Sequence, residues 1–102
     1  MRTFQLRRYD IAEGKMPEFT AWLDQTLIPV RKQFGFQIEF RLIETKANRF
    51  IWCVSLPGDE AEFLKVQDAY AASAERAAAF ESFPECIESS EIGFVEALDL
   101  SK

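Results

Sequence analysis

Residues 36–56 constrain the fold most. From Phe36 to Glu44, Phe36, Ile38, Phe40 and Leu42 alternate with Gln37, Glu39 and Arg41, the two-residue period of a half-buried strand. Only Thr45-Lys46-Ala47-Asn48 separates this run from a second one, Arg49 to Leu56. Strands joined by so short a polar link run antiparallel, as a hairpin. Asn48 suits a left-handed turn position. The second run, Phe50-Ile51-Trp52-Cys53-Val54, is apolar on both faces, which places it inside a sheet or an assembly.

The flanks supply the rest. Thr3 to Ile11 reads as a strand with Phe4 and Leu6 on one face and Gln5, Arg7 and Tyr9 on the other. Ala12 to Lys15 is a turn broken by Gly14. Pro17 suits a first helical turn, and from there to about Gln33 the residues Phe19, Trp22, Leu23, Leu27 and Val30 form one helical stripe. Glu18, Asp24, Gln25, Arg31 and Lys32 fill its wet face. Pro29 should bend this helix or end its regular ladder, and Gly35 is the stop. Past the hairpin, Pro57-Gly58 breaks the chain and Asp59 with Glu62 reads as a capping box. Phe63, Val66, Gln67 and Tyr70 then fall at helical spacing. Ala71 to Phe80 is helix-prone, with Ser73 restarting a turn, and Phe83-Pro84 closes the helical region. Cys86 to Leu98 reads as a long last strand with Ile92, Phe94 and Leu98 on one face. Leu100-Ser101-Lys102 reads as a tail.

Strand, helix, strand, strand, helix, strand is the split βαβ order. The expected fold class is α+β, a ferredoxin-like βαββαβ domain: a four-stranded antiparallel sheet with two helices on one face, because right-handed crossovers place both on the same side. The 102 residues suit one domain spanning 1–102. A 48 % apolar fraction with ten Phe is ample for its core. The opposite sheet face has no cover within the chain, and a two-fold homodimer, or a larger assembly, would cover it.

Composition excludes several functions. With 17 acidic against 12 basic residues the net charge is −5, which argues against nucleic acid as a partner. No segment approaches a membrane span, and Arg2, Arg7 and Arg8 precede no apolar signal region, so the expected location is cytoplasmic. The two cysteines, Cys53 and Cys86, read as reduced core residues. There is no His, hence no commonest metal ligand, general base or proximal haem ligand. No metal site and no cofactor are expected.

The candidate site residues are Arg7, Tyr9, Trp22, Trp52 and Tyr70. Arg7 and Tyr9, two apart on one strand face, either line a pocket for an anionic or carbonyl-bearing ligand, or meet a second sheet at an interface or lie on a solvated edge. Trp22 and Trp52 either wall a cavity under the helices or belong to the core. The Tyr70 hydroxyl either reaches a ligand or bonds a backbone carbonyl. Arg41 and Arg49 suit ion pairs with the hairpin's glutamates. Cys53, without a His to activate it, is no nucleophile candidate, and Glu85, Glu88, Glu91 and Glu96 read as a solvated face.

Several segments together resemble the NIPSNAP family of the dimeric α/β-barrel superfamily. They are Phe4-Gln5-Leu6-Arg7-Arg8-Tyr9 with Glu13-Gly14-Lys15, Glu18-Phe19 with Trp22, Leu27-Ile28-Pro29, Phe34-Gly35-Phe36, Asn48-Arg49-Phe50-Ile51-Trp52, and Asp68-Ala69-Tyr70 with Ser73-Ala74-Glu75. The resemblance implies a protomer whose sheet stacks on that of a second copy to form a barrel. It also implies a biochemical role that the family leaves undefined. Two function classes follow. One is a homodimer that binds a small ligand or a partner protein. The alternative, by analogy with related families on this architecture, is a cofactor-independent monooxygenase or isomerase acting on a small aromatic or polyketide-like substrate. Haem degradation, which leans on a His, does not carry over.

Overall fold

The computed structural model describes residues 1–98; the Leu100-Ser101-Lys102 tail lies outside them. The strands are β1 (Arg2–Ile11), β2 (Gln37–Glu44), β3 (Arg49–Pro57) and β4 (Ile87–Val95). They form one antiparallel sheet in the order β2-β3-β1-β4. The helices are α1 (Met16–Trp22), α2 (Ile28–Gln33), α3 (Glu60–Ala71) and α4 (Ala74–Phe80). The expected α+β, ferredoxin-like order is therefore present, with each of the two expected helices in two pieces.

Both interruptions have local causes. Between α1 and α2 the chain forms a π-helical turn, Leu23–Leu27, in which the Ile28 N–H bonds the Leu23 carbonyl. Pro29 follows at once. It has no N–H to give, and its ring would crowd the carbonyl four residues back, so a wider turn relieves both problems. Between α3 and α4, Ser73 caps the second piece by accepting the Arg76 N–H at 3.1 Å. Asp59 caps α3 as expected: its carboxylate accepts the Glu62 N–H at 2.9 Å, and Glu62 accepts the Asp59 N–H at 3.0 Å. Asn48 (φ 53°) and Gly35 (φ +93°) take the left-handed conformations their turns need.

The helices cover one sheet face. Under them lie Tyr9, Ile11, Phe50, Trp52, Val54 and Leu56 from the strands, against Phe19, Leu23, Leu27, Phe36, Phe63 and Tyr70. The strand β3 is buried on both faces, as its sequence required: Cys53 and Ser55 are enclosed on the side away from the helices. The alternation in β2 does not run unbroken. A bulge between Ile38 and Phe40 shifts its register against β3, so Ile38 shares the helix-covered face while Phe40 and Leu42 turn outward. There they stand 43 % and 54 % exposed, beside Val95 at 42 %. The β4 strand is shorter than Cys86–Leu98, and Phe94 reaches the core by packing on Phe63, with ring centroids 5.2 Å apart.

Candidate functional site

The β1 residues Gln5, Arg7 and Tyr9 point at the helices. Register places Arg7 opposite Trp52 on one side and Ile92 on the other, with Tyr9 opposite Phe50. The interface alternative for Arg7 and Tyr9 thus gives way to an interior position: they face the helix layer, not the free side of the sheet. The Tyr9 hydroxyl accepts from Arg7 Nε at 2.6 Å and from Trp52 Nε1 at 3.2 Å. A second Arg7 nitrogen donates to Gln5 Oε1 at 2.7 Å. Four side chains from two strands are thereby locked into one polar group beneath the helices.

Above this group stands Arg31, which periodicity alone puts on the wet helix face. It is only 2 % exposed. The reason is the π turn. An i→i+5 bond adds one residue to the turn, which offsets the downstream helix face by about one residue, or about 100°. The stripe that would continue at Val30 continues at Arg31. Its guanidinium carbon lies 4.7 Å from the ring centroid of Phe36, 5.3 Å from Trp52 and 4.5 Å from Tyr70. One nitrogen donates to Gln67 Oε1 at 3.3 Å. Arg31 Nε and the Tyr70 hydroxyl are buried with no hydrogen-bond partner. Arg76, half-buried on α4, adds a third guanidinium over the Tyr70 ring at 5.7 Å and the Phe80 ring at 4.1 Å.

Among the described residues no acid pairs with these charges. The ion pairs are Arg8–Glu91, Lys15–Glu18, Arg41–Asp24 and Arg49 with Asp10 and Glu44, all at the surface. Among the described residues none of them includes Arg7, Arg31 or Arg76. Burial, and then the nearby Arg7 charge, bring the Arg31 guanidinium down to about 10. A chain of net charge −5 thus keeps three cations together beneath its helices. The set has one buried donor without an acceptor, Arg31 Nε, and, among the described residues, charge without countercharge, which is the chemistry of an anion site.

Of the residues singled out from sequence, Arg7, Tyr9, Trp52 and Tyr70 come together. Trp22 stands apart: its ring packs on Phe80 and Phe83, and its Nε1 donates to the Ala79 carbonyl at 3.0 Å, which ties α4 to α1. Gln5 and Gln67, which periodicity had on the same faces, join the cluster. Arg31 and Arg76 were not singled out; Pro29 was the available signal for the first. Cys53 lies on the opposite sheet face, where burial pushes its thiol up and away from thiolate chemistry. Among the described residues no group of acidic or sulfur side chains could hold a metal ion, and no helix is long and apolar enough to cross a membrane.

Neither a family model nor a curated protein sequence matches the chain. Solved structures do. An uncharacterized NIPSNAP domain protein from Burkholderia xenovorans superposes with a TM-score of 0.83 at 17 % identity, covering 100 % of this chain and 99 % of its own. A NIPSNAP family protein from Agrobacterium tumefaciens gives 0.84 at 18 % identity, covering 99 % and 97 %. A candidate antibiotic biosynthesis monooxygenase from Nitrosomonas europaea is more distant, with a TM-score of 0.70 at 11 % identity over 95 % and 90 %. The chain therefore has the fold of the NIPSNAP domain proteins, the family its sequence resembles.

Proposed function

We propose that this chain is a single NIPSNAP-like domain that works in the cytoplasm as a homodimer and binds a small anionic molecule at Arg31 and Arg7. The observation that carries the binding is the buried Arg31: a guanidinium with an orphan Nε, an orphan Tyr70 hydroxyl beside it and, among the described residues, no carboxylate paired with it. A ligand carboxylate would supply the missing acceptors and the missing charge. The dimer is supported by the free sheet face. Phe40, Leu42 and Val95 are exposed there beside the half-buried Phe4, Leu6 and Ile51, and a second copy would cover them.

The cofactor-independent enzyme reading needs a dry cavity walled by Trp22, Trp52, Tyr9 and Tyr70. That space is filled by the rings of Phe19, Phe36, Phe50 and Phe63. Binding asks for less: only an anionic head must reach the guanidinium pair, with the rest of the molecule lying outward past the α3–α4 break. The test uses benzoate at about 10 mM as the probe, read as a rise in thermal midpoint. Wild type should gain stability and Arg31→Met should not; an equal gain in both refutes the site. Sedimentation at micromolar concentration should show a dimer, and a strict monomer would overturn that part.

A further inference from the structure

We propose that the ligand of this site carries two negative charges, one held inside by Arg31 and Arg7 and the other held at the mouth by Arg76. This rests on the anion-binding reading above and adds the class of ligand: a dianion such as a dicarboxylate. Three observations support it. First, the three guanidinium groups share one patch. Arg31 and Arg76 both stack over the Tyr70 ring, at 4.5 and 5.7 Å, and Arg7 depresses the ionisation of Arg31 through its charge. One negative charge would leave two of the three positive charges uncompensated; two would leave only one. Second, the cations differ in depth. Arg31 is 2 % exposed while Arg76 is half-buried on the short helix α4, nearer the surface. Third, both helices over the site are interrupted beside it. The π turn ends four residues before Arg31, and the Ala72–Ser73 break lies between Tyr70 and Arg76. Helix irregularities of this kind recur at functional sites.

Arg76 is held by rings and not by an acid. Its guanidinium lies 4.1 Å from the Phe80 centroid on its own helix. The positions four residues to either side are Ala72 and Phe80, so its own helix offers no acid at pairing distance, and among the described residues Arg76 forms no ion pair. The group is available to a ligand from outside.

The experiment compares benzoate with phthalate, isophthalate and terephthalate, which share the ring and differ in charge, by titration calorimetry at pH 8. At least one dicarboxylate should bind about tenfold more tightly than benzoate, a gap that narrows as salt is raised. Arg76→Gln should bring that dicarboxylate's affinity down to the level of benzoate. Lys46→Gln removes the same charge from the β2–β3 turn and should leave the tenfold gap in place. If benzoate binds and no dicarboxylate binds better, the two-charge inference is overturned and the anion site stands. If Arg76→Gln leaves the gap intact, Arg76 is not the second contact. If none of the four binds at millimolar concentration, the anion-binding reading falls as well.

Discussion

Replacing Arg31 by Met should change stability little, for reasons of charge burial and packing. Its fall from the ordinary arginine range to about 10 corresponds to about 3 kcal/mol against the charged form in the folded chain. Below pH 10 the group is protonated in both folded and unfolded chains, so this cost is present in full at neutral pH. It is relieved only as pH rises above about 10, towards the ordinary arginine range, where the folded chain has lost the proton and the unfolded chain has not. Against it stand contacts with three ring faces, worth about 2 kcal/mol when desolvated, and the single 3.3 Å bond to Gln67, worth about 1 kcal/mol. These terms nearly cancel. Met has comparable length, fills irregular space and packs well on aromatic rings. Arg31→Met should therefore unfold within about 1 kcal/mol of wild type, a urea midpoint change under about 1 M for a domain of this size. The buried Trp22 and Trp52 give the fluorescence signal, and protein concentration is held constant because a dimer's stability depends on it. Arg31→Ala, which empties the same site, should cost about 2–4 kcal/mol. A loss of 3 kcal/mol or more in Arg31→Met refutes the reasoning: Arg31 would then be a satisfied structural cation and not one waiting for an anion.

Tyr9→Phe removes the acceptor shared by Arg7 Nε and Trp52 Nε1, and should cost about 2 kcal/mol in urea unfolding; a loss below about 0.5 kcal/mol means that water satisfies those donors. Phe40→Glu puts a charge in the exposed apolar patch of the free sheet face and should weaken a dimer at least about 30-fold, read as monomer in sedimentation at micromolar concentration; an unchanged assembly moves the interface elsewhere. Gly58 has φ +100°, and a Cβ there would sit 2.7 Å from the Glu62 carboxylate that closes the capping box. Gly58→Ala should cost more than about 1 kcal/mol in a thermal melt, and a neutral result shows that Glu62 can swing away freely.

The order of elements was legible because it is written in local signals. A four-residue link forces a hairpin, Gly35 and Asn48 adopt left-handed turns, and Asp59 with Glu62 closes a capping box, all within a few residues of sequence. The double burial of β3 was legible for a related reason: apolar residues on both faces leave no solvent side. The β2 strand shows the limit of such reading. Alternation assigns Phe40 and Leu42 to the face of Phe36 and Ile38, yet one bulge at Ile38/Phe40 sends them to the other side. A bulge needs only one extra residue on one strand, and nothing in the composition of β2 marks it.

The same arithmetic hid the site. Arg7, Tyr9, Trp52 and Tyr70 can be picked out as chemistry-bearing residues on inward faces, because strand period and helix stripe both hold where they lie. Arg31 cannot, because it lies beyond a turn that has gained a residue. The two irregularities have opposite consequences. The β2 bulge moves apolar side chains out, to a face that a second copy can cover. The π turn moves a charged side chain in, where among the described residues no acid pairs with it. Ordinary packing selects against the second arrangement, since a buried unpaired cation costs stability. Its survival beside Pro29, which imposes the turn, implies a gain that the isolated domain does not display. An anionic ligand is the simplest source of that gain, and the contrast between an Arg31→Met variant that keeps its stability and loses its anion would make the gain visible.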